Sequence, residues 1–384
     1  MLDRLPPEIL DDILLLAASP PHHHDGYQSK ERTLSSCCQV SRALCARAQP
    51  LLWRDVVLLG PQEDGSREFR QFAKLLWLDF GKKDEDLKER LEQSVPRLMA
   101  LVRTFRIEEY DLSSTARVAM LLAVLASLPP TVQQVQLDIG YSRGSCKPLS
   151  LLRLAPVATS LRTLTCCFTA FAGNSIVLSS LTILSLTEVT ASLSTFSALF
   201  SSCTLPALRV LAFKAMFSRG ETRDNSFEAL TPTFLSQLDL FHLTTDDLTH
   251  LPNAVCAGPF ALVVSWAYPR ELDRALRILQ RLNLSNLQLH LPHIFCIDLD
   301  SHSLGTLSDA RHVFASLPSL RAFHLPPFAD RRNLLPSVRS GLTALVQTCE
   351  TRGVEVCYGV ELGEVWNAVK RMRAKADEEK GREG

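Results

Sequence analysis

Leu161-Arg162-Thr163-Leu164-Thr165-Cys166 and Leu181-Thr182-Ile183-Leu184-Ser185-Leu186 share one pattern, apolar-x-x-apolar-x-apolar. In an extended strand the fourth and sixth positions of that pattern lie on one side and the fifth on the other, because strand side chains alternate. Each stretch is therefore a short strand with one apolar side. The pattern recurs upstream at Val102, Phe105, Ile107 and at Val132, Val135, Leu137. Downstream it fits Leu208, Leu211, Phe213, then Leu235, Leu238, Leu240, then Leu284, Leu287, Leu289, and finally Leu320, Phe323, Leu325. Successive units start 20 to 49 residues apart. The longest interval leaves room for a weaker unit near Phe260, and residues 354–358 read as a closing strand.

Helical stretches fall between the strands, for example residues 270–282 and 337–350. One β–α unit cannot bury its apolar side alone, so neighbours must stack into a continuous core. The spacing predicts an irregular leucine-rich-repeat solenoid over residues 101–360. The consensus repeat carries Asn or Cys three positions after its last apolar residue. Here those positions hold Tyr110, Gly140, Thr169, Val189, Met216 and Leu243. No asparagine ladder forms, and the turn carbonyls need other partners. Residues facing away from the core would line a concave surface: Arg106, Gln136, Thr165, Ser185, Lys214, Asp239, Phe241, Gln288, His290 and His324. Mixed in sign and largely polar, that face suits a protein target, with Phe241 as its aromatic anchor. Beyond residue 360, Leu362, Val365, Trp366, Val369 and Met372 form a helical stripe, expected to cap the last repeat before a polar tail (residues 361–384).

The chain has 384 residues, 46% hydrophobic and 21% charged, which describes a globular protein of two to three domains. Lys+Arg and Asp+Glu are both 41, and a net charge of zero argues against a broad phosphate-binding face, hence against nucleic acid as a partner. The 11 cysteines include two vicinal pairs, Cys37-Cys38 and Cys166-Cys167, and no Cys-x-x-Cys. That usage points to reduced, mostly buried thiols in an intracellular protein. Apolar runs fall far short of the ~20 residues that cross a bilayer. Asp3, Glu8, Asp11 and Asp12 interrupt the N-terminal apolar residues, unlike a secretory signal. Cytoplasm or nucleus is the expected location, with no membrane partner. Residues 59–100 read as a charged helical connector, with the dense charges of residues 82–93 solvated.

Near the N-terminus, Ile9, Ile13 and Leu16 recur at helical spacing, and Leu10 and Leu14 widen the stripe. Pro6 and Pro7 suit a first helical turn. Residues 18–32 are polar, with Pro, His and Gly, and read as a loop; helical character resumes at Leu34 and runs to about Ala48, and Pro50 interrupts it. Three blocks stand out: Leu5-Pro6, Glu8-Ile9-Leu10 and Ile13-Leu14; then Val40-Ser41-Arg42; then Pro50-Leu51-Leu52-Trp53-Arg54. In this order, at the start of the chain, residues 1–58 resemble the F-box, a small helical domain that docks onto the Skp adaptor of Skp–cullin–F-box ubiquitin ligases. The 18–32 segment is longer than the connection usual in that family. The resemblance implies a substrate-recognition adaptor that contacts the Skp subunit, and through it a cullin, using Leu5, Pro6, Ile9, Leu10, Ile13, Val40 and Trp53. Independently of the name, the stripe is too wide for a 50-residue domain to hide, so part of it should stay exposed for a partner helix, with Val40 and Trp53 packed between helices to orient it.

Gly140-Tyr141-Ser142-Arg143-Gly144 matches the nucleophile elbow G-x-S-x-G, but Gly144, Ser145 and Pro148 make a turn where the elbow needs a helix. His22-His23-His24 with Cys37 and Cys38 lack the spaced ligands of a tetrahedral metal site, and His290, His293 and His302 near Asp298 and Asp300 read as polar decoration of a bent repeat segment. No phosphate-binding or dinucleotide fingerprint occurs. The expectation is α/β: a small all-helical F-box-like N-terminal domain, then the solenoid, with no catalytic residues, metal or cofactor. A second reading has the same array acting as a binding scaffold outside any ligase, its N-terminal helices serving only as a cap.

Overall fold

The computed structural model describes residues 7–18, 25–59, 96–108, 115–138, 148–167, 169–173, 176–189, 191–215, 227–244, 248, 261–265, 278–279, 287–290, 317, 319–325, 343, 346–358, 365–367, 369–374 and 378. Three helices form the head: α1 (Pro7–Ala18), α2 (Asp25–Val40) and α3 (Arg42–Arg54). Leu10 and Leu14 on α1 meet Leu34 on α2 and Leu44 and Ala48 on α3, all buried. Asp11 and Arg47 form an ion pair between α1 and α3. Ser41, extended at φ −156°, breaks α2 from α3, and its hydroxyl accepts the Leu44 N–H at 3.2 Å, which supplies an orphan donor of the new helix with a partner.

The structure differs from the sequence reading in two places in this head. α2 begins at Asp25, inside the segment read as a loop; residues 25–32 are polar apart from Tyr27, and the inward-turning Leu34, Cys37 and Cys38 come only later in the helix. Pro50 lies inside α3 rather than ending it. The lost N–H and ring clash cost about 3 kcal/mol, but Leu51 and Leu52 pack on the head core immediately beyond and hold the last turn.

The chain divides into two compact units, residues 1–180 and 181–384. In the first, β1 (Asp55–Leu59) follows α3 directly and pairs in parallel with β2 (Thr104–Glu108), so a strand forms within the residues expected for the head. After α4 (Thr115–Ala126), β3 (Gln134–Asp138) and β4 (Thr163–Cys167) each pair in parallel with the strand before. The apolar positions fall in register: Val56 beside Phe105, Phe105 beside Val135, Val135 beside Leu164. Phe105, Ile107, Val135, Leu137, Leu164 and Cys166 are all buried. Their neighbours Gln134, Gln136, Thr163 and Thr165 are half-buried on the opposite face. Consecutive parallel strands need crossover connections, and the buried apolar positions share the one face that such connections can cover.

The second unit repeats the scheme with β5 (Ile183–Val189), α5 (Leu193–Leu199), β6 (Val210–Ala215), α6 (Pro232–Ser236), β7 (Leu240–Thr244), β8 (Ala261–Ser265), β9 (Leu287–His290), β10 (Leu320–Leu325) and β11 (Glu355–Tyr358). Each strand pairs in parallel with the next. The strands expected near Phe260 and at 354–358 are both present. Under β6, the rings of Phe196 and Phe200 stack at 5.5 Å, and Phe213 meets both edge-on. Phe227 and Phe234 extend the cluster. Such offset and edge contacts add to the burial of each ring.

Hydroxyls stand in for the missing asparagine ladder. Thr131, Ser160 and Ser180 each precede the first apolar residue of a repeat. They donate to the carbonyls of Val102 (3.0 Å), Val132 (2.8 Å) and Thr159 (2.6 Å) in the preceding repeat. In the second unit Gln237 takes this place, its Nε2 donating to Leu205 O at 3.3 Å.

One repeat frame differs from the sequence reading. Leu235 belongs to α6, started by the Thr231 cap and Pro232 at its first turn. The strand positions are consequently Leu238, Phe241 and Leu243, three residues later than expected. Phe241 stands in register with Leu211 on the core face and is fully buried, so it anchors no external partner. Phe241→Ala should cost about 3–5 kcal/mol of stability, as truncation of a buried aromatic does. Urea unfolding followed by circular dichroism measures it; a loss below about 1 kcal/mol would contradict this placement.

Candidate protein-binding surfaces

The α1 stripe is split by the geometry of a single helix. At 100° per residue, Leu10 and Leu14 turn toward α2 and α3, while Ile9, Ile13 and Leu16 share the adjacent side one turn apart. The first pair is buried, whereas Ile9 is 48%, Ile13 42% and Leu16 76% exposed. Leu10 is therefore part of the head core and not a contact for a partner. Val40, expected between helices, is 64% exposed at the end of α2, where the chain turns at Ser41. Trp53 is half-buried. Leu5 and Pro6 lie outside the described residues.

On the face opposite the core of the first unit, Arg106, Gln136 and Thr165 stand in one cross-strand row, half-buried. In the second unit the same face is different. Ile183, Val210, Leu240 and Ala261 form a continuous cross-strand row of apolar side chains. Val263, on the next row of this face, joins them. Helical residues 365–367 and 369–374 lie on that row: Val365, Val369 and part of Trp366 pack against Val210, Leu240, Ala261 and Val263. Lys370 Nζ sits 3.4 Å from the Trp366 ring centroid, and Arg373 pairs with the carboxylate of Asp239, itself buried at the start of β7. The expected cap is thus a helix covering the sheet face, and Asp239 faces it.

Further along, Gln288 and His324 are both buried, and the His324 Nε2 to Gln288 Oε1 distance is 2.7 Å. Neither is an exposed target contact; packing of the adjacent strands takes both inside. His290 occupies a register position beside His324, and its side chain is outside the described residues. Ser185 and Lys214 are half-exposed. Lys214 Nζ donates to Glu188 Oε1 at 2.9 Å. Glu188 carries the positive φ of 53° at a bulge between Thr187 and Val189, a conformation L residues adopt only under constraint.

Residues 140–144 and His22, His23, His24, His293, Asp298, Asp300 and His302 lie outside the described residues. Among the described residues, no group of three potential metal ligands converges, and no helix is long and apolar enough to cross a membrane. A cleft of about 490 Å³ lies between α3 and the starts of β2 and β3, lined by Pro50, Leu51, Arg54, Leu101, Arg103, Thr104, Gln133 and Gln134. Arg103 spends its guanidinium on the carbonyls of Ala100 and Val102, at 2.8 and 3.1 Å.

No protein-family model matches the chain, and no curated protein matches it at a significant level.

All eight described cysteines are free thiols. Burial, assisted by Cys167, holds the Cys166 thiol far above its ordinary range. Burial and then Glu350 raise Cys349 from 9.0 to about 11, and burial and then Glu355 do the same for Cys357. A raised thiol favours the folded state below the unfolded value and loses that advantage as pH climbs toward the folded one. Stability should thus fall between pH 9 and about 11, less steeply in Cys349→Ala. At pH 8, exposed Cys203 should react with a thiol reagent while Cys166 and Cys349 wait for denaturant. Equal labelling rates for Cys203 and Cys349, read by mass spectrometry, would contradict the placement.

Proposed function

We propose that this chain is a substrate-recognition adaptor of a Skp–cullin–F-box ubiquitin ligase. One observation carries the reading: Ile9, Ile13, Leu16 and Val40 stay exposed on a head whose small core already uses Leu10 and Leu14. A contiguous apolar stripe at i, i+4 and i+7 is the form in which one helix receives another. The described residues of the quoted F-box blocks lie on these three helices and at the Ser41 break between α2 and α3. The parallel strands, consecutive in each unit with their repeat positions in register and buried, support a leucine-rich solenoid that presents the protein target. Among the described residues of the face opposite the core, Arg106, Gln136, Thr165, Ser185 and Lys214 are partly exposed side chains open to such a target. The adaptor does no chemistry; it raises the local concentration of a target lysine near the ubiquitin-conjugating enzyme.

Burying Ile9 and Ile13 against a partner is worth about 1.5–3 kcal/mol each before ordering costs. Ile9→Asp and Ile13→Asp would each bury a carboxylate instead, and binding should drop at least ~100-fold. Co-expression with the Skp adaptor and co-purification tests this, with Leu152→Asp, an exposed apolar residue elsewhere in the first unit, as the control that should bind normally. Absence of a complex with the unaltered chain would favour the scaffold reading. A complex that survives both aspartates would contradict the α1 surface.

A further inference from the structure

The face of the second unit opposite its core departs from the rule that the first unit keeps. Where β2 to β4 carry Thr104, Gln134 and Thr163 just before their core residues, β5 to β8 carry Ile183, Val210, Leu240 and Ala261, with Val263 on the next row. A solenoid binds partners through that face, and an apolar row there needs a cover in water. The cover is a short helical segment from the end of the chain. It uses Val365 and Val369, four residues apart, and Arg373, four further on, so all three lie on one side of the helix. Asn367, Lys370, Arg371 and Ala374 are exposed around it. The buried carboxylate of Asp239, beside the apolar row, fixes where a cation must sit.

From this geometry we propose that the row Ile183–Val210–Leu240–Ala261, with Val263 and Asp239, is a helix-binding groove. Its partner in the working complex is an amphipathic helix carrying two apolar side chains four residues apart and a basic one four residues beyond. The chain's own residues 365–367 and 369–374 hold the groove until such a helix displaces them. The proposal deepens the adaptor reading by naming the chemistry of the target. A helix of this length is marginal when free, so once displaced it unwinds and competes poorly against a longer partner. The groove supplies both halves of recognition: apolar positions for affinity and Asp239 for register and direction.

The test uses the full chain and a fluorescein-labelled peptide of residues 361–384 as the probe. Arg373→Glu sets a carboxylate against Asp239 and loosens the intramolecular helix while leaving the groove intact. The peptide should bind that variant at least tenfold more tightly than the unaltered chain, read by fluorescence anisotropy. The gain should vanish when Asp239→Asn is added. Val369→Ala loosens the helix without a charge change and should give the same direction, which covers the case in which Arg373→Glu fails to fold. Equal affinity for loosened and unaltered chains, or no binding to either loosened chain, would overturn the groove and leave the segment a fixed cap. The head takes no part in this measurement, so an overturned groove with an intact Skp-adaptor complex fails by itself and leaves the adaptor reading standing.

Discussion

A parallel strand with one apolar side has to be roofed by the chain that follows it, and the described strands of both units answer to that requirement. Consecutive strands set Phe105 beside Val135 and Val135 beside Leu164, so each roof continues its neighbour's. The requirement extends to polar groups. Each repeat hands carbonyls to the next, and Thr131, Ser160 and Ser180 supply hydroxyls where a regular array would use an amide ladder. A hydroxyl ladder tolerates uneven repeat lengths because each bond is made one repeat at a time.

The head meets the opposite situation. Its core of Leu10, Leu14, Leu34, Leu44 and Ala48 is enough to fix three helices and too small to cover both sides of α1. The exposed side is then a consequence of size, since a domain this small buries a modest share of its surface. In the second unit the surplus apolar surface lies on the sheet instead, and there the chain does provide the cover, in the form of Val365 and Val369. One apolar surplus is thus left open and the other is closed from within.

Much of this was legible. The repeat positions from Val102 to Phe213 fall on the core face as their spacing requires, because strict alternation leaves a strand one way to turn. The frame failed at residues 235–243, where Leu235, Leu238 and Leu240 and Leu238, Phe241 and Leu243 fit the pattern equally well. The Thr231-Pro232 helix start was the local signal that separates them. The helix-covered face was missed because it is written as the absence of alternation: residues 261–264 are four apolar residues in a row, buried on both sides. The α1 stripe could be read as helical from its period, but which half sinks depends on where Leu34 and Leu44 arrive, and that is tertiary information. Gln288 and His324 look like exposed polar positions in the alternation; their burial comes from neighbouring strands and from their own mutual contact.

The central claim is that the uncovered side of α1 receives another protein's helix. Hydrogen–deuterium exchange of the full chain with and without the Skp adaptor tests it most directly. Slowed exchange confined to residues 7–18 and 32–54, with the strands of the second unit unchanged, is the result this account predicts. Protection that falls on residues 183–265 instead, or no change anywhere at saturating adaptor, would contradict it.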